Sequence, residues 1–171
     1  MATDAARNFV YSVAPGSGAG VQGSLFGWTF TGATGSSAGF VPVPGTPLQA
    51  GVNPAWVTLV PSGAFLYVAA GSAGNGEIMG YSVSANGQPI PLAGSFASAP
   101  NPVQLAADPS GKFLYALNVN TTNGSPPSVP DNIAGFQVDT TGVLTAVPGS
   151  AVTVASPGGS PLPELRPKLL D

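Results

Sequence analysis

The stretch Pro109-Ser110-Gly111-Lys112-Phe113-Leu114-Tyr115 decides the fold of this chain, because it joins a turn to an aromatic strand and its parts recur. The turn is the four-residue segment Asp108 to Gly111, with proline in its second place and glycine in its fourth. These two positions are typical of a type I turn. The aromatic strand returns as Phe9-Val10-Tyr11 and Phe65-Leu66-Tyr67, and the three tyrosines are 56 and 48 residues apart. A repeat of about fifty residues built from short strands indicates a propeller-like array.

Two other patterns follow the aromatic strand in the same order each time. One is a strand with a central glycine, which occurs at 25–30, 78–83 and 133–138. The other is a strand that closes on Gly-Ser or Gly-Thr, which occurs at 43–46, 92–95 and 147–150. Asn-Pro then opens the next repeat with one more strand. Four antiparallel strands per repeat are the content of one propeller blade.

These repeats predict an all-β fold of β-propeller-type repeats, with about three blades forming an incomplete propeller. Residues 1–161 hold the blades, with repeat boundaries near 53 and 101, and residues 162–171 form an atypical proline-rich tail. Because Asp4 aligns with Asp108 at the turn before the aromatic strand, the chain begins after the place of a first strand. The expected strand counts are therefore three, four and four.

The repeated aromatic residues are expected to pack between neighbouring blades, because they alternate along their strands. Tyr115→Ser should then cost about 3 kcal/mol of stability through cavity formation and lost burial. The repeated glycines Gly27, Gly80 and Gly135 lie inside strands, where glycine usually marks a bulge or a close approach of backbones. We expect them to let adjacent sheets come close.

Three of these patterns together resemble one family, the seven-bladed lactonase-like propellers. The patterns are Pro109 to Tyr115, the central-glycine strands of the form I-x-G-[YF]-x-V, and Gly-Ser followed by Asn-Pro. The family includes 6-phosphogluconolactonase-type and carboxymuconate-cyclase-type enzymes, and the resemblance extends from about Asp4 to Pro161. It implies the propeller fold. For the enzymes, it implies His, Arg or Glu side chains around the central channel.

Fewer than seven blades would leave strand edges and apolar inter-blade faces exposed, so self-association is expected. Three explanations of the short length stay open. The sequence is a truncated or partial one, or a short protein whose subunits complete a ring together, or a stable open stack.

Composition excludes several classes of function. With 4 Lys/Arg against 7 Asp/Glu and a net charge of −3, the chain lacks the clustered cations of a nucleic-acid-binding protein. It contains no apolar run long enough to span a membrane and no signal peptide pattern. The absence of cysteine excludes disulfides, and low charge with abundant Ser, Thr, Asn and Gly favours a periplasmic or extracellular protein.

Catalytic chemistry has little support in these residues. The chain has no histidine, and its four cations are Arg7, Lys112, Arg166 and Lys168, so no catalytic residue, metal site or cofactor is predicted. The sequence favours a non-catalytic binding or scaffold unit. The alternative is part of a sugar-lactone hydrolase, such as a 6-phosphogluconolactonase-like enzyme, whose catalytic residues lie in blades outside this sequence.

The variable loops at 14–23, 71–76 and 118–131 are expected to open on the same face of the propeller, where ligands usually bind. A neutral small molecule or a glycan would contact polar side chains there, and the candidates are Glu77, Asn118, Asn120 and Asp131. The alternative is a solvated surface loop. Asp4, Asp108 and Asp139 are expected to stabilise turns.

Overall fold

The computed structural model describes residues 1–4, 6–18, 20–32, 39–72, 75–98, 101–119 and 131–154. Within these ranges the chain forms three antiparallel sheets joined by turns and loops. No helix in this part of the chain is long and apolar enough to cross a membrane. The proline-rich tail at 162–171 lies outside the described residues.

Each sheet is built from one sequence repeat, in chain order from the innermost to the outermost strand. The first sheet contains β1 (Ala2–Asp4), β2 (Phe9–Ala14), β3 (Gln22–Thr31), β4 (Gly39–Pro42) and β5 (Leu48–Val52). The second contains β6 (Pro54–Leu59), β7 (Phe65–Ser72), β8 (Asn75–Val83) and β9 (Pro89–Ser98). The third contains β10 (Pro102–Ala107), β11 (Phe113–Asn118), β12 (Asn132–Val138), β13 (Leu144–Ala146) and β14 (Val152–Thr153). The all-β, blade-like fold class is therefore confirmed.

The outermost strand is interrupted in two sheets, at the residues that close on Gly-Ser or Gly-Thr. Both β4 and β5 pair with β3, and both β13 and β14 pair with β12. In the third sheet the Ser150 hydroxyl donates to the carbonyl of Gly135 (3.2 Å), and the Gly135 N–H donates back to Ser150 Oγ (3.0 Å). In the first sheet the Thr46 hydroxyl donates to the carbonyl of Val43 (2.8 Å) and lies farther from the carbonyl of Gly27 (3.4 Å). The Ser150 hydroxyl thus anchors the interrupted strand of the third sheet to the central glycine of its neighbour.

The prediction that the first repeat lacks its first strand is wrong. Ala2, Thr3 and Asp4 form β1 and pair antiparallel with the aromatic strand β2, in the register Ala2↔Tyr11. This strand has three residues, whereas β6 and β10 have six each. Because the alternation is so short, the sequence pattern did not reveal it.

The turn residues have the roles expected of them. The N–H of Gly63 donates to the carbonyl of Val60 (2.8 Å), and that of Gly111 to the carbonyl of Asp108 (2.9 Å). The Asp108 carboxylate accepts bonds from the Ser110 hydroxyl and the Phe113 N–H, and these bonds hold the pKa of Asp108 below its usual value. The Thr141 hydroxyl donates a hydrogen bond to the Asp139 carboxylate, and this bond lowers the pKa of Asp139 in the same way.

The central glycines lie beside the repeated tyrosines, across the strand pair. Gly27 is the register partner of Tyr11, Gly80 of Tyr67 and Gly135 of Tyr115. A Cβ added at Gly80 would lie 3.3 Å from Cε1 of Tyr67 and 3.1 Å from side-chain atoms of the same sheet. The expectation that these glycines admit an adjacent sheet is therefore wrong. They leave room for the tyrosine ring of their own sheet.

The hairpins between the third and fourth strands join each sheet to the preceding one. They turn at Gly87 (φ +82°) and Gly142 (φ +84°), left-handed conformations that glycine adopts without strain. The Tyr11 hydroxyl donates to the carbonyl of Gly87 (2.7 Å), and the Tyr67 hydroxyl donates to the carbonyl of Gly142 (2.7 Å). One apolar core fills the space between the first and second sheets, and another fills the space between the second and third.

The prediction that Tyr115 belongs to the core is wrong. Tyr11 and Tyr67 are fully buried, whereas Tyr115 is 43% exposed and Phe113 is 38% exposed. The reason is that each aromatic strand packs on the following sheet, and the described residues contain no sheet after the third. The loss of stability on removing the ring, through cavity formation and lost burial, is therefore expected at Tyr11 and Tyr67 instead.

Buried tyrosines make stability sensitive to high pH. Burial raises the pKa of Tyr11 and of Tyr81 from 10.0 to about 12, and raises that of Tyr67 as well. The folded protein holds these protons more tightly than the unfolded chain, so the stabilising effect is complete below pH 10 and is lost as pH rises to 12. We expect each buried tyrosine to remove up to about 1.4 kcal/mol per pH unit in that window.

The measurement is urea denaturation from pH 8 to pH 12, followed in parallel by phenolate absorbance. Phenolate signal from the buried tyrosines should appear together with unfolding. Unchanged stability across this window would contradict the hydrogen-bonded burial of these hydroxyls.

Candidate functional site

The innermost strands of the three sheets line a cleft of about 410 Å³. Each of these strands, β1, β6 and β10, pairs with one neighbour in its own sheet, and β6 contacts both of the others. An edge strand presents backbone N–H and C=O groups that the ladder does not use. The cleft therefore combines side chains with backbone donors and acceptors.

The polar side chains of this cleft are uncharged. Thr3 from β1 and Thr58 from β6 contribute hydroxyls, and Trp56 contributes a partly exposed indole. The other lining residues are aliphatic: Met1, Ala2, Val57, Leu59, Leu105, Ala106 and Ala107. Hydroxyls, an aromatic face and backbone groups suit a neutral polar ligand, and none of these side chains is a general acid or base near neutral pH.

Three of the sequence-predicted site residues lie at the end of the sheets where the innermost strands begin. Glu77 pairs with Ala70, which in turn pairs with Pro54 at the start of β6. Asn118 is the last residue of β11 and pairs with Pro102 at the start of β10. Asp131 immediately precedes β12. Asn120 lies outside the described residues.

Asn118 is fully buried and belongs to a hydrogen-bond network between two sheets. Its Oδ1 accepts from the Ser98 hydroxyl at the end of β9 (2.7 Å). Its Nδ2 donates to Oδ1 of Asn132 (3.0 Å) and to the carbonyl of Ala116 (3.5 Å). A ligand contact through this amide would require one of these partners to move, so ligand binding by Asn118 stays a prediction.

Glu77 lies against the first sheet. Its Oε1 would be 2.5 Å from a Cβ added at Gly51, which places the carboxylate beside β5. Nearby, the Tyr81 hydroxyl donates to the carbonyl of Gln49 (2.6 Å). The negative charge of Glu77 adds to burial in raising the pKa of Tyr81.

Asp131 is half-buried, and its carbonyl accepts a bond from the N–H of Val154 (2.7 Å). The backbone bond ties the start of β12 to the end of β14. A ligand-binding role for the Asp131 carboxylate stays a prediction.

The predicted loop at 71–76 is largely strand. Gly71 pairs with Gly76 and Ser72 pairs with Asn75, so β7 and β8 continue almost to their connection. The glycine-rich sequence suggested a loop, but the backbones of these residues pair in the antiparallel ladder between β7 and β8. The connection between β2 and β3 covers residues 15–21, and most of the predicted loop at 118–131 lies outside the described residues.

The cations of the described residues lie at the opposite end, beside the turns that precede the aromatic strands. Arg7 donates from Nε to Asp4 Oδ2 (2.6 Å) and from Nη2 to the carbonyl of Gly63 in the second sheet (2.5 Å). Lys112 is exposed at the corresponding turn of the third sheet. Arg7 thus joins two sheets, and neither cation reaches the end that carries Glu77 and Asn118.

Sequence reasoning missed the cleft residues Trp56, Thr58 and Thr3. The available signal was that Trp56 and Thr58 stand two residues apart in the strand after Asn53-Pro54, and so share one face of it. Its position as the innermost strand follows from the sheet order, which the sequence pattern does not state. Within the described ranges, no group of three or more acidic residues is placed to hold a metal ion.

A family model described as "Lactonase, 7-bladed beta-propeller" matches residues 38–125. Among solved structures, a candidate 6-phosphogluconolactonase from Bacteroides fragilis is 18% identical, with a TM-score of 0.57 over 84% of this chain and 38% of that chain. A second candidate 6-phosphogluconolactonase, from Bacteroides uniformis, is 16% identical, with a TM-score of 0.60 over 77% of this chain and 34% of that chain.

A hypothetical selenium-binding protein from Sulfolobus tokodaii has a TM-score of 0.63 at 13% identity, over 86% of this chain and 39% of that chain. This chain therefore spans between 34% and 39% of the length of these three structures. Sequence identities this low show a similar fold and nothing more. Among curated proteins, none is significantly similar to this sequence.

Proposed function

Because this chain belongs to the seven-bladed lactonase β-propeller family, we propose that its three sheets form a non-catalytic unit that binds a neutral sugar or lactone. The observation that carries this proposal is the cleft between the innermost strands, whose polar side chains are Thr3, Thr58 and Trp56. Hydroxyl and indole groups hydrogen-bond and stack against polyhydroxylated rings without requiring charge.

Electrostatics favour a neutral ligand over a phosphorylated one. Phosphate recognition uses clustered Arg and Lys side chains. Arg7 is engaged by Asp4 and by the second sheet, and Lys112 lies at the turn end of the third sheet. The acidic residues Glu77 and Asp131 lie at the other end, and a bound phosphate there would be repelled.

Lactone hydrolysis is the second candidate, favoured by the family match and by the similarity to two candidate 6-phosphogluconolactonases. The described residues of this chain place no acid-base pair in the cleft. Hydrolysis would therefore depend on groups outside these three sheets.

The test is a titration of the 171-residue chain with D-glucono-1,5-lactone, glucose and 6-phosphoglucono-1,5-lactone, followed by tryptophan fluorescence. Neutral ligands are expected to change the emission of Trp56. Thr58→Val, which removes one hydroxyl, should weaken the affinity about tenfold. The matched control is Thr145→Val, because Thr145 is exposed on the outermost strand β13. This variant should leave the affinity unchanged.

Two results would contradict the binding proposal. One is the absence of binding by the neutral ligands at millimolar concentration, and the other is equal affinity in Thr58→Val and the parent chain. Release of acid from either lactone above the spontaneous rate would instead favour the hydrolase.

A further inference from the structure

The chain builds the same interface twice between its own sheets. We call the face that carries the aromatic-strand Phe and Tyr the tyrosine face, and the opposite face of a sheet its receiving face. The tyrosine face of the first sheet, with Phe9, Tyr11 and Leu25, packs on the receiving face of the second, which carries Val57, Leu66 and Tyr81. The tyrosine face of the second sheet packs in the same way on the receiving face of the third. All the residues of the first pair are buried.

The tyrosine face of the third sheet has no such partner among the described residues. It carries Phe113, Tyr115 and Ile133, and Ile133 is 39% exposed although its equivalents Leu25 and Ile78 are fully buried. A groove of about 230 Å³ on this face is lined by Tyr115, Ile133 and Leu117, together with residues of β10. A contiguous patch of exposed apolar side chains is typical of an interaction site.

No described residues of another sheet cover the receiving face of the first sheet either. It carries Val10, Trp28, Phe30 and Phe40, whose equivalents in the other two sheets are buried, except for the half-buried Val83. Phe40 is 60% exposed, whereas its register equivalent Leu144 in the third sheet is buried. Phe30 and Phe40 contact each other with ring centroids 5.3 Å apart, beside a hollow of about 370 Å³. The part of the chain that the structure describes therefore has one uncovered face of each kind.

We propose that the tyrosine face of the third sheet docks on the receiving face of the first sheet of a second copy, head to tail. The occupant is a second copy because the receiving face that the repeat requires is present on this chain and uncovered. The two free faces are the two halves of an interface that the chain already forms twice. The association continues that interface, and it does not depend on the ligand proposed above.

Head-to-tail docking uses two different patches, so it makes a ring or an open chain and never a face-to-face pair. If one copy has a blocked tyrosine face and another copy has a blocked receiving face, the two can still bind each other through their unblocked faces, and only once. Ile133→Glu places a negative charge on the tyrosine face, and Phe40→Glu places one on the receiving face, so the two blocked faces repel each other. Both positions are exposed in the single chain, so both variants should fold.

The experiment is light scattering on the full-length chain at increasing concentration as it leaves a sizing column. The unmodified chain is expected to form dimers or larger species. Each single variant should be monomeric, with the apparent dissociation constant raised about a hundredfold because an unpaired charge would be buried. An equimolar mixture of the two variants should form 1:1 dimers and nothing larger.

The matched control is Val21→Lys. Val21 is 45% exposed and lies in the connection between β2 and β3, away from both faces, so this variant should associate like the unmodified chain. Three results would overturn the proposal: a monomeric unmodified chain, a mixture that stays monomeric, or normal association of Phe40→Glu. The last would indicate that two tyrosine faces pair with each other.

Discussion

Tyr67→Ala is expected to lower the free energy of unfolding by about 4 kcal/mol. The ring is fully buried between the second and third sheets. It packs over Gly80, and its hydroxyl donates to the carbonyl of Gly142 (2.7 Å). Truncation therefore leaves a cavity and a buried carbonyl that has lost its donor. Both effects act on the same inter-sheet contact, and urea denaturation measures their combined cost.

Tyr115→Ala is the matched control, because it changes the same residue of the same repeated pattern. Tyr115 also faces its strand glycine, Gly135, but it is 43% exposed. We expect a loss below about 1 kcal/mol, measured at a protein concentration at which the chain is monomeric. Equal losses for Tyr67→Ala and Tyr115→Ala would contradict the difference in burial between the two positions.

Gly142→Ala is expected to lower the free energy of unfolding by about 3 kcal/mol, for two separable reasons. Gly142 has φ +84°, a conformation that costs alanine energy. In addition, the new Cβ would lie 2.5 Å from Cδ1 of Phe65 and 2.9 Å from Cδ1 of Leu92. The hairpin would have to move away from the second sheet, which would weaken the bond from Tyr67.

Gly94→Ala separates the two reasons. Gly94 has φ +83°, but a Cβ there meets no atom of the described residues within 4 Å. This variant should lose about 1 kcal/mol, the cost of the backbone conformation alone. The difference between the two variants, read from urea denaturation midpoints, measures the contact between the hairpin and Phe65. No difference would indicate that the hairpin does not pack on the preceding sheet.

Much of the fold follows from local patterns. Alternation and turn residues predict the strands around Phe65 and Ile78, because a pleated strand sends successive side chains to opposite faces. The turns at Val60 to Gly63 and Asp108 to Gly111 form as their proline and glycine require. The short strand β1 was missed, since three residues are too few for a pattern.

The candidate site could be predicted only in outline. Glu77, Asn118 and Asp131 do lie at the end of the sheets where the innermost strands begin. Whether a polar side chain there is free depends on its neighbours in space, and Asn118 contacts Ser98, twenty residues away. The lining of the cleft was missed because β1, β6 and β10 meet through sheet order, at long separations in sequence.

The amino-acid sequence specifies the repeat, the strands, the turns and the lactonase-like propeller family, because each of these depends on residues close together in the chain. The burial of Tyr11 and Tyr67 and the exposure of Tyr115 depend on something else. All three occupy the same place in the same pattern, and no local signal separates them. Burial is a property of what lies opposite a surface, and for these tyrosines it is set by whether a following sheet supplies a hairpin glycine.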